Sequence, residues 1–152
     1  MYQHYFHDTD LKGQYLNETQ PNVYEDLKHA INREYTAICF YNDLTLLTPS
    51  EKTKNHIISI KINEQRHLNE FSNFYQKLTS YTHSPEIIDH CPDDYSQALE
   101  TAFFHEQQSV QTYLNIADRI KNPYFKDRFK RIAADEQKHA MWMLYYLNES
   151  FQ

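Results

Sequence analysis

The chain has 152 residues, the length of one ordinary domain that can bury a sizeable core. It contains a single glycine, Gly13, whereas a β-rich fold with many tight turns needs several, so we expect an all-α protein. The net charge is −6 and lysine and arginine form no block, which argues against a nucleic-acid partner. No apolar run of about 18 or more residues and no signal-peptide pattern occurs, so we expect a cytoplasmic protein with no membrane partner.

Five prolines separate four long proline-free segments, and proline is tolerated at the start of a helix but not in its interior. We expect residues 1–21 to form an irregular or short helical lead-in and residues 22–149 to form a helical bundle. The first helix is predicted to begin at Asn22, where Glu25 completes a capping box, and to end near Leu47.

The sequence Thr48-Pro49-Ser50-Glu51 predicts the start of the second helix, with Thr48 as its N-cap and Pro49 at the first helical position. Because this link is so short, the first two helices are expected to be antiparallel neighbours. The second helix is predicted to continue to about Leu78.

Residues 81–92 form the one long internal connection of the predicted bundle. Fully extended, at about 3.4 Å per residue, they could span roughly 40 Å, which is enough to run back along a whole helix. A second helical hairpin then follows. Its first helix is predicted to start at Asp93 or Asp94 and to end near Ile120, and its second to run from Pro123 to about Asn148.

The two predicted hairpins repeat one pattern at an offset of 72 residues. Glu64-Gln65-Arg66-His67 in the second helix corresponds to Glu136-Gln137-Lys138-His139 in the fourth. A lone glutamate precedes each tetrapeptide by 30 residues, Glu34 in the first helix and Glu106 in the third. Apolar positions around these residues repeat in the same register, so we interpret the chain as a duplicated hairpin with pseudo-two-fold symmetry.

Each of the four glutamates lies in the middle of an apolar helical stripe and should therefore face the core. An isolated buried carboxylate is costly, so four in one core need compensating charge. Two divalent cations would cancel the four negative charges, and one imidazole from each Glu-x-x-His would complete the shell of each ion. A Glu from each of two helices and a Glu-x-x-His from each of the other two is a ligand set of di-iron and di-manganese bundles.

Each part of this pattern also has a plainer interpretation. A single Glu-x-x-His on a helix is usually a solvated pair, and a lone glutamate in an apolar stripe can be a buried polar contact. The equal spacing, the matched surroundings and the helix order together favour the metal site. A separate loop cluster could bind zinc, although it offers only one thiol: His83, His90 and Cys91.

With these motifs, helices one to four resemble the ferritin-like di-iron-carboxylate superfamily, specifically its bacterioferritin and rubrerythrin branch. The resemblance implies a four-helix bundle of two antiparallel hairpins joined by a long crossover, holding two iron ions per chain, with manganese as an alternative. The implied ligands are one terminal glutamate per ion, two bridging glutamates and one histidine per ion, respectively Glu34 and Glu106, Glu64 and Glu136, and His67 and His139.

The resemblance also implies residues around the ligands. Asn63 and Asp135, which precede the bridging glutamates, would support the histidine of the other helix, His139 and His67 respectively. Tyr41 and Tyr113 would lie beside the metals as candidate catalytic residues. Their alternative role is that of core tyrosines hydrogen-bonded elsewhere.

Four departures from the family pattern restrict the functions that we expect. Gln65 stands where bacterioferritins have a haem-binding methionine, so no haem is expected. Ser109 stands where rubrerythrins have a further glutamate. The chain stops 13 residues after His139, which disfavours a storage cage with a fifth helix, and it carries no Cys-rich rubredoxin domain, so electrons would come from a separate donor.

We therefore predict a di-iron oxidoreductase that acts on peroxide or O₂, as in peroxide detoxification, or a ferroxidase. A di-manganese catalase, an iron-storage protein and a non-enzymatic metal-binding stress protein are the alternatives. The expected partners are a small-molecule oxidant, a separate electron donor and, in a homodimer, a second copy of the chain.

Overall fold

Four long helices account for most of the described chain. The structure, a computed structural model, describes residues 22–152, and the predicted lead-in at 1–21 lies outside the described residues. The four helices match the predicted ones within a few residues at each end, which confirms the all-α four-helix bundle: α1 Asn22–Leu47, α2 Glu51–Thr79, α3 Tyr95–Arg119 and α4 Pro123–Glu149. None of these four is long and apolar enough to cross a membrane.

The start of α2 differs from the prediction by two residues. The N-cap is Ser50, whose hydroxyl accepts a hydrogen bond from the backbone N–H of Thr53. Thr48, predicted to be the cap, instead donates its hydroxyl to the backbone carbonyl of Leu44 at 2.7 Å. Its side chain is thus used to close the end of α1, so the cap of α2 passes to the next hydroxyl along the chain.

The start of α3 allows a matched test of capping. Asp94 is the N-cap, with Oδ1 accepting the backbone N–H of Gln97 at 2.9 Å, while its neighbour Asp93 is also exposed. We expect Asp94→Ala to lower the free energy of unfolding by about 1 kcal/mol, because one orphan N–H loses its acceptor. Asp93→Ala should change it by less than about 0.5 kcal/mol. Urea denaturation of both variants measures the difference, and equal losses would refute the assigned cap.

The apolar core consists of two clusters, one at each end of the bundle. The first cluster is built from the N-terminal parts of α1 and α4 and the C-terminal parts of α2 and α3, and includes the stacked rings of Phe71 and Phe129 with centroids 4.6 Å apart. The second cluster is built from the opposite ends of the same helices, and includes Leu44, Ile57 and Met143. Between the two clusters lies a layer of buried polar side chains.

The connection between α2 and α3 runs back along the bundle beside α1. It begins after Ser80, whose φ of 66° places it in the left-handed region that commonly ends a helix. Asn32 on α1 accepts hydrogen bonds at Oδ1 from His83 Nε2 at 2.8 Å and from the backbone N–H of Glu86 at 3.1 Å. Thr36 Oγ1, one turn further on, accepts the N–H of Ile88 at 3.0 Å. The predicted crossover is therefore fastened to α1 by buried polar side chains.

Candidate metal centre

The polar layer in the middle of the bundle contains one glutamate from each helix. Glu34, Glu64, Glu106 and Glu136 are between 0% and 3% exposed. They are brought together because each lies in the middle of its helix, within the apolar stripe that faces the bundle axis. The structure thus places all four sequence-predicted acids in one buried site.

Two histidines complete this layer and point the same ring nitrogen into it. His67 Nδ1 lies 2.8 Å from Glu136 Oε1 and 3.2 Å from Glu64 Oε2. His139 Nδ1 lies 2.6 Å from Glu64 Oε1 and 3.7 Å from Glu136 Oε2. Each imidazole therefore contacts the glutamate of its own Glu-x-x-His and that of the opposite hairpin, as the pseudo-two-fold symmetry requires.

The outer nitrogen of each imidazole meets the polar residue predicted to support it. His67 Nε2 lies 3.3 Å from Asp135 Oδ2, and His139 Nε2 lies 3.4 Å from the Asn63 side-chain nitrogen. The hydrogen bond with His67 lowers the pKa of Asp135, so this carboxylate is held in its charged form. These contacts fix the ring orientation and keep each Nδ1 directed at the glutamates.

The two candidate tyrosines join the hairpins through the terminal glutamates. Tyr41 on α1 donates its hydroxyl to Glu106 on α3, and Tyr113 on α3 donates to Glu34 on α1. Burial, together with these carboxylates, raises the pKa of both tyrosines well above the ordinary value, so both hydroxyls keep their protons. Each tyrosine therefore binds the glutamate of the other hairpin, although it lies two turns along its own helix from that helix's glutamate.

The four carboxylates fall into two electrostatic classes. Burial and the charges of Glu136 and Glu64 raise the pKa of Glu34 and Glu106 well above the usual range. Burial opposes ionisation of Glu64 too, but the neighbouring imidazoles hold its pKa well below that range. Burial and the charge of Glu64 likewise oppose ionisation of Glu136, but the nearby Glu106 carboxyl and the two imidazoles keep its pKa below the ordinary value. Glu64 and Glu136, the inner glutamates, therefore carry the negative charge of the layer.

The imidazoles respond to that charge. Burial alone would lower the pKa of His67 and His139, but the surrounding carboxylates raise both, that of His139 to about 10. A positive charge placed between Glu64 and Glu136 is thus stabilised.

Several buried polar atoms of this layer lack a well-oriented hydrogen bond. Within residues 22–152, four buried atoms of the layer lack a hydrogen bond of acceptable geometry: Glu34 Oε2, Glu64 Oε1, Glu136 Oε1 and His139 Nδ1. Glu64 Oε1 and His139 Nδ1, for example, lie 2.6 Å apart without hydrogen-bonding orientation. Buried polar atoms are normally paired, so four unpaired atoms that converge on one point fit a bound cation. Carboxylate oxygens and imidazole nitrogens without a thiolate suit iron or manganese, and the side chains therefore fit a divalent-metal centre.

The six side chains form two overlapping sets of candidate ligands. In each set, one atom per residue lies within 4.8 Å of the others. Glu64 and Glu136 belong to both sets, whereas Glu34 with His67 belongs to one and Glu106 with His139 to the other. This sharing is the geometry that two neighbouring ions with two common carboxylates would require.

A cavity of about 200 Å³ connects this layer with the surface between α1, α3 and the crossover. All four glutamates line its inner end. Its outer end is bounded by Arg33, Gln108 and Ser109 from the helices and by Ile88 and Asp89 from the crossover. A liquid water molecule occupies about 30 Å³, so the cavity holds only a few small molecules.

Arg33, which the sequence analysis does not single out, bridges the mouth of this cavity from α1 to α3. Its Nε donates to Ser109 Oγ at 3.1 Å, one Nη to Gln108 Oε1 at 3.2 Å and the other Nη to the backbone carbonyl of His105 at 2.9 Å. The signal that could have revealed it is its position immediately before Glu34. Ser109, noted for its lack of a carboxylate, is thus bound to a guanidinium.

The alternative zinc cluster does not form. His83 is bound to Asn32, and the Cys91 thiol lies 3.5 Å from the carbonyl of Pro92. In the part of the chain that the structure describes, the groups that could hold a metal include neither of these residues nor His90. The crossover uses its polar side chains for fastening and turn contacts instead.

Comparison with known proteins gives relatives for both sequence and fold. The family model for rubrerythrin matches residues 97–152. The protein YhjR of Bacillus subtilis (strain 168) is 40% identical over 129 residues, which cover 85% of this chain and 89% of YhjR.

Two solved structures share the fold at low sequence identity. A ferritin-like, diiron-carboxylate protein from Bacillus anthracis str. Ames superposes with a TM-score of 0.75 at 20% identity, over 83% of this chain and 95% of that one. A hypothetical protein from Pyrococcus furiosus superposes with a TM-score of 0.74 at 18% identity, over 83% of this chain and 88% of that one.

Proposed function

We propose that this chain, a member of the ferritin-like superfamily, is a di-iron oxidoreductase that reduces peroxide or O₂. The observation that supports the proposal is the buried layer in which two candidate ligand sets share Glu64 and Glu136. Two iron ions per chain suit this arrangement, and manganese is the alternative cation for the same donor atoms.

Each ion would be held by a set of three glutamates and one histidine. Glu34 and His67 would complete one set, Glu106 and His139 the other, and the two shared glutamates would bridge. The iron pair, when bound, would supply the two electrons that reductive cleavage of an O–O bond consumes.

The surrounding residues of the chain would position these ligands. Asp135 and Asn63 keep the two imidazoles turned towards the layer. Tyr41 and Tyr113 donate their hydroxyls to Glu106 and Glu34 and so hold these two glutamates in place. The cavity is large enough to admit peroxide or O₂.

The proposed reaction has a simple balance. Reduction of one H₂O₂ to two waters takes up two electrons and two protons. The protons come from solvent through the cavity. A separate redox protein supplies the electrons that return the site to its reduced state. That donor and a homodimeric assembly are both part of the proposal.

An anaerobic titration with Fe(II), followed by peroxide, tests this function. We expect about two Fe(II) per chain to bind, and one H₂O₂ to be consumed for each two Fe(II) oxidised, without release of O₂. Absorbance and an oxygen electrode follow the two quantities. Retention of fewer than one Fe(II) per chain would refute the metal centre.

The same measurements separate the alternative functions. A di-manganese catalase would contain manganese after native expression and release one O₂ for every two H₂O₂. An iron-storage protein would elute as a large cage in size exclusion and take up many irons per chain. A non-enzymatic metal protein would bind the ions and show a metal-dependent melting temperature, but no turnover of peroxide.

A further inference from the structure

The cavity above the glutamates lies across the pseudo-two-fold axis of the bundle. Positions related by the 72-residue offset line it in pairs, including Arg33 with His105, Thr36 with Gln108, and Ala37 with Ser109. A molecule that enters here is therefore flanked by equivalent positions of both hairpins and can reach both ligand sets. The cavity is thus placed to serve the site as a whole.

Arg33 is the main departure from this symmetry. Its counterpart is His105, which also lines the cavity and pairs through Nε2 with Asp89 at 2.9 Å. Arg33 instead crosses from α1 to α3 and makes three hydrogen bonds. Because a guanidinium stays protonated at any working pH, the mouth carries a fixed positive charge directly above four carboxylates.

The charges at the mouth do not cancel completely. Asp89, the acid nearest the surface, has a side chain that is 54% exposed, so water screens it. Arg33 is half-buried between two helices, where the effective dielectric constant is lower and its field is stronger. The four glutamates lie beneath it at the inner end of the cavity. An ion on the way in therefore passes the guanidinium before it reaches the four glutamates.

From this geometry we propose that Arg33 is the specificity-determining residue of the cavity. It acts as a charge filter that favours small uncharged or anionic oxygen ligands, of the peroxide class, over divalent cations. The inference rests on the proposed function, because it assigns the cavity to the oxidant. It goes further in assigning a role to one residue that does not touch the ligand set.

The rate of cobalt loading tests the filter without any measurement of turnover. Arg33→Gln removes the charge, Arg33→Lys retains it without the three-point bridge, and Arg131→Gln removes an exposed charge on α4 that pairs with nearby Asp127. At low salt, Co²⁺ absorbance should develop at least about fivefold faster in Arg33→Gln than in the wild type. Arg33→Lys and Arg131→Gln should remain within about twofold of it. High salt should narrow the difference.

Azide, a small anion, probes the other half of the filter in the Co²⁺-loaded protein. Its dissociation constant, read from the change in the cobalt spectrum, should rise about fivefold in Arg33→Gln and stay within about twofold in Arg33→Lys. The assignment is wrong if Arg33→Gln leaves either quantity at the wild-type value, or if Arg33→Lys behaves like Arg33→Gln.

The two proposals fail in different ways. A wild-type chain that binds no Co²⁺ refutes the metal centre and the filter together. A chain that binds about two Co²⁺ at equal rates in wild type and Arg33→Gln refutes the filter alone. Circular dichroism of each variant establishes that the bundle has folded before the rates are compared.

Discussion

Glu64→Gln is expected to reduce the bound metal to less than one ion per chain, whereas His67→Ala is expected to retain about one. Glu64 belongs to both candidate ligand sets, so its loss removes a charged donor from both. His67 belongs to one set only, and the set completed by Glu106 and His139 keeps all four members. We therefore expect a larger loss of metal in Glu64→Gln than in His67→Ala, because Glu64 belongs to both ligand sets.

Metal analysis of protein reconstituted with Fe(II) and desalted without oxygen gives the stoichiometry. Glu100→Gln is the matched control, because it makes the same chemical change at an exposed site on α3 and should leave the metal content at the wild-type value. His139→Ala should behave like His67→Ala. If Glu64→Gln retained as much metal as His67→Ala, the two ligand sets would not share this residue.

Glu106→Gln is expected to have opposite effects on stability with and without metal. In EDTA-treated protein the variant should be more stable than the wild type by about 1–3 kcal/mol, because a buried carboxyl among other acids is replaced by a neutral side chain of the same shape. For a chain of this size that corresponds to a melting temperature higher by roughly 2–10 °C. The carbonyl oxygen of the introduced amide would still accept the hydroxyl of Tyr41.

With metal present the order should reverse. Metal binding stabilises only the folded state, so Fe(II) or Co²⁺ should raise the melting temperature of the wild type. The rise should be clearly smaller in Glu106→Gln, which loses one charged ligand. Differential scanning calorimetry in EDTA and in excess metal measures both values, with Glu100→Gln as the control. A variant that is less stable than the wild type in EDTA would show that the buried Glu106 carboxyl does not destabilise the metal-free fold. A variant whose melting temperature rises with metal as much as that of the wild type would show that Glu106 is not a ligand.

Much of the centre could be predicted because it depends on spacing along single helices. Glu34 and Glu106 each lie in an apolar stripe formed by residues one and two turns away on the same helix. Glu64 and His67 lie on one helix face because they are three residues apart. Helical periodicity fixes these directions without knowledge of the partner helix. The internal repeat then supplies the second half of the site from the first.

Features that depend on contacts between helices could not be read in this way. The hydroxyl of Tyr41 reaches Glu106 rather than a group on its own helix, and Arg33 reaches Ser109 on α3. Both contacts require the distance and rotation of α1 against α3, which no local pattern specifies. The cap of α2 at Ser50 was missed for a related reason, since two neighbouring hydroxyls compete for two helix ends.

The division of the apolar core into two end clusters has a consequence for how such a protein can change. Hydrophobic burial is concentrated near the termini of the helices, while the buried polar layer occupies the middle and makes its own polar contacts. Substitutions at the two ends and substitutions in the middle therefore act on different properties. Heat resistance can be selected by repacking either end, and reactivity can be retuned in the middle, with little conflict between the two.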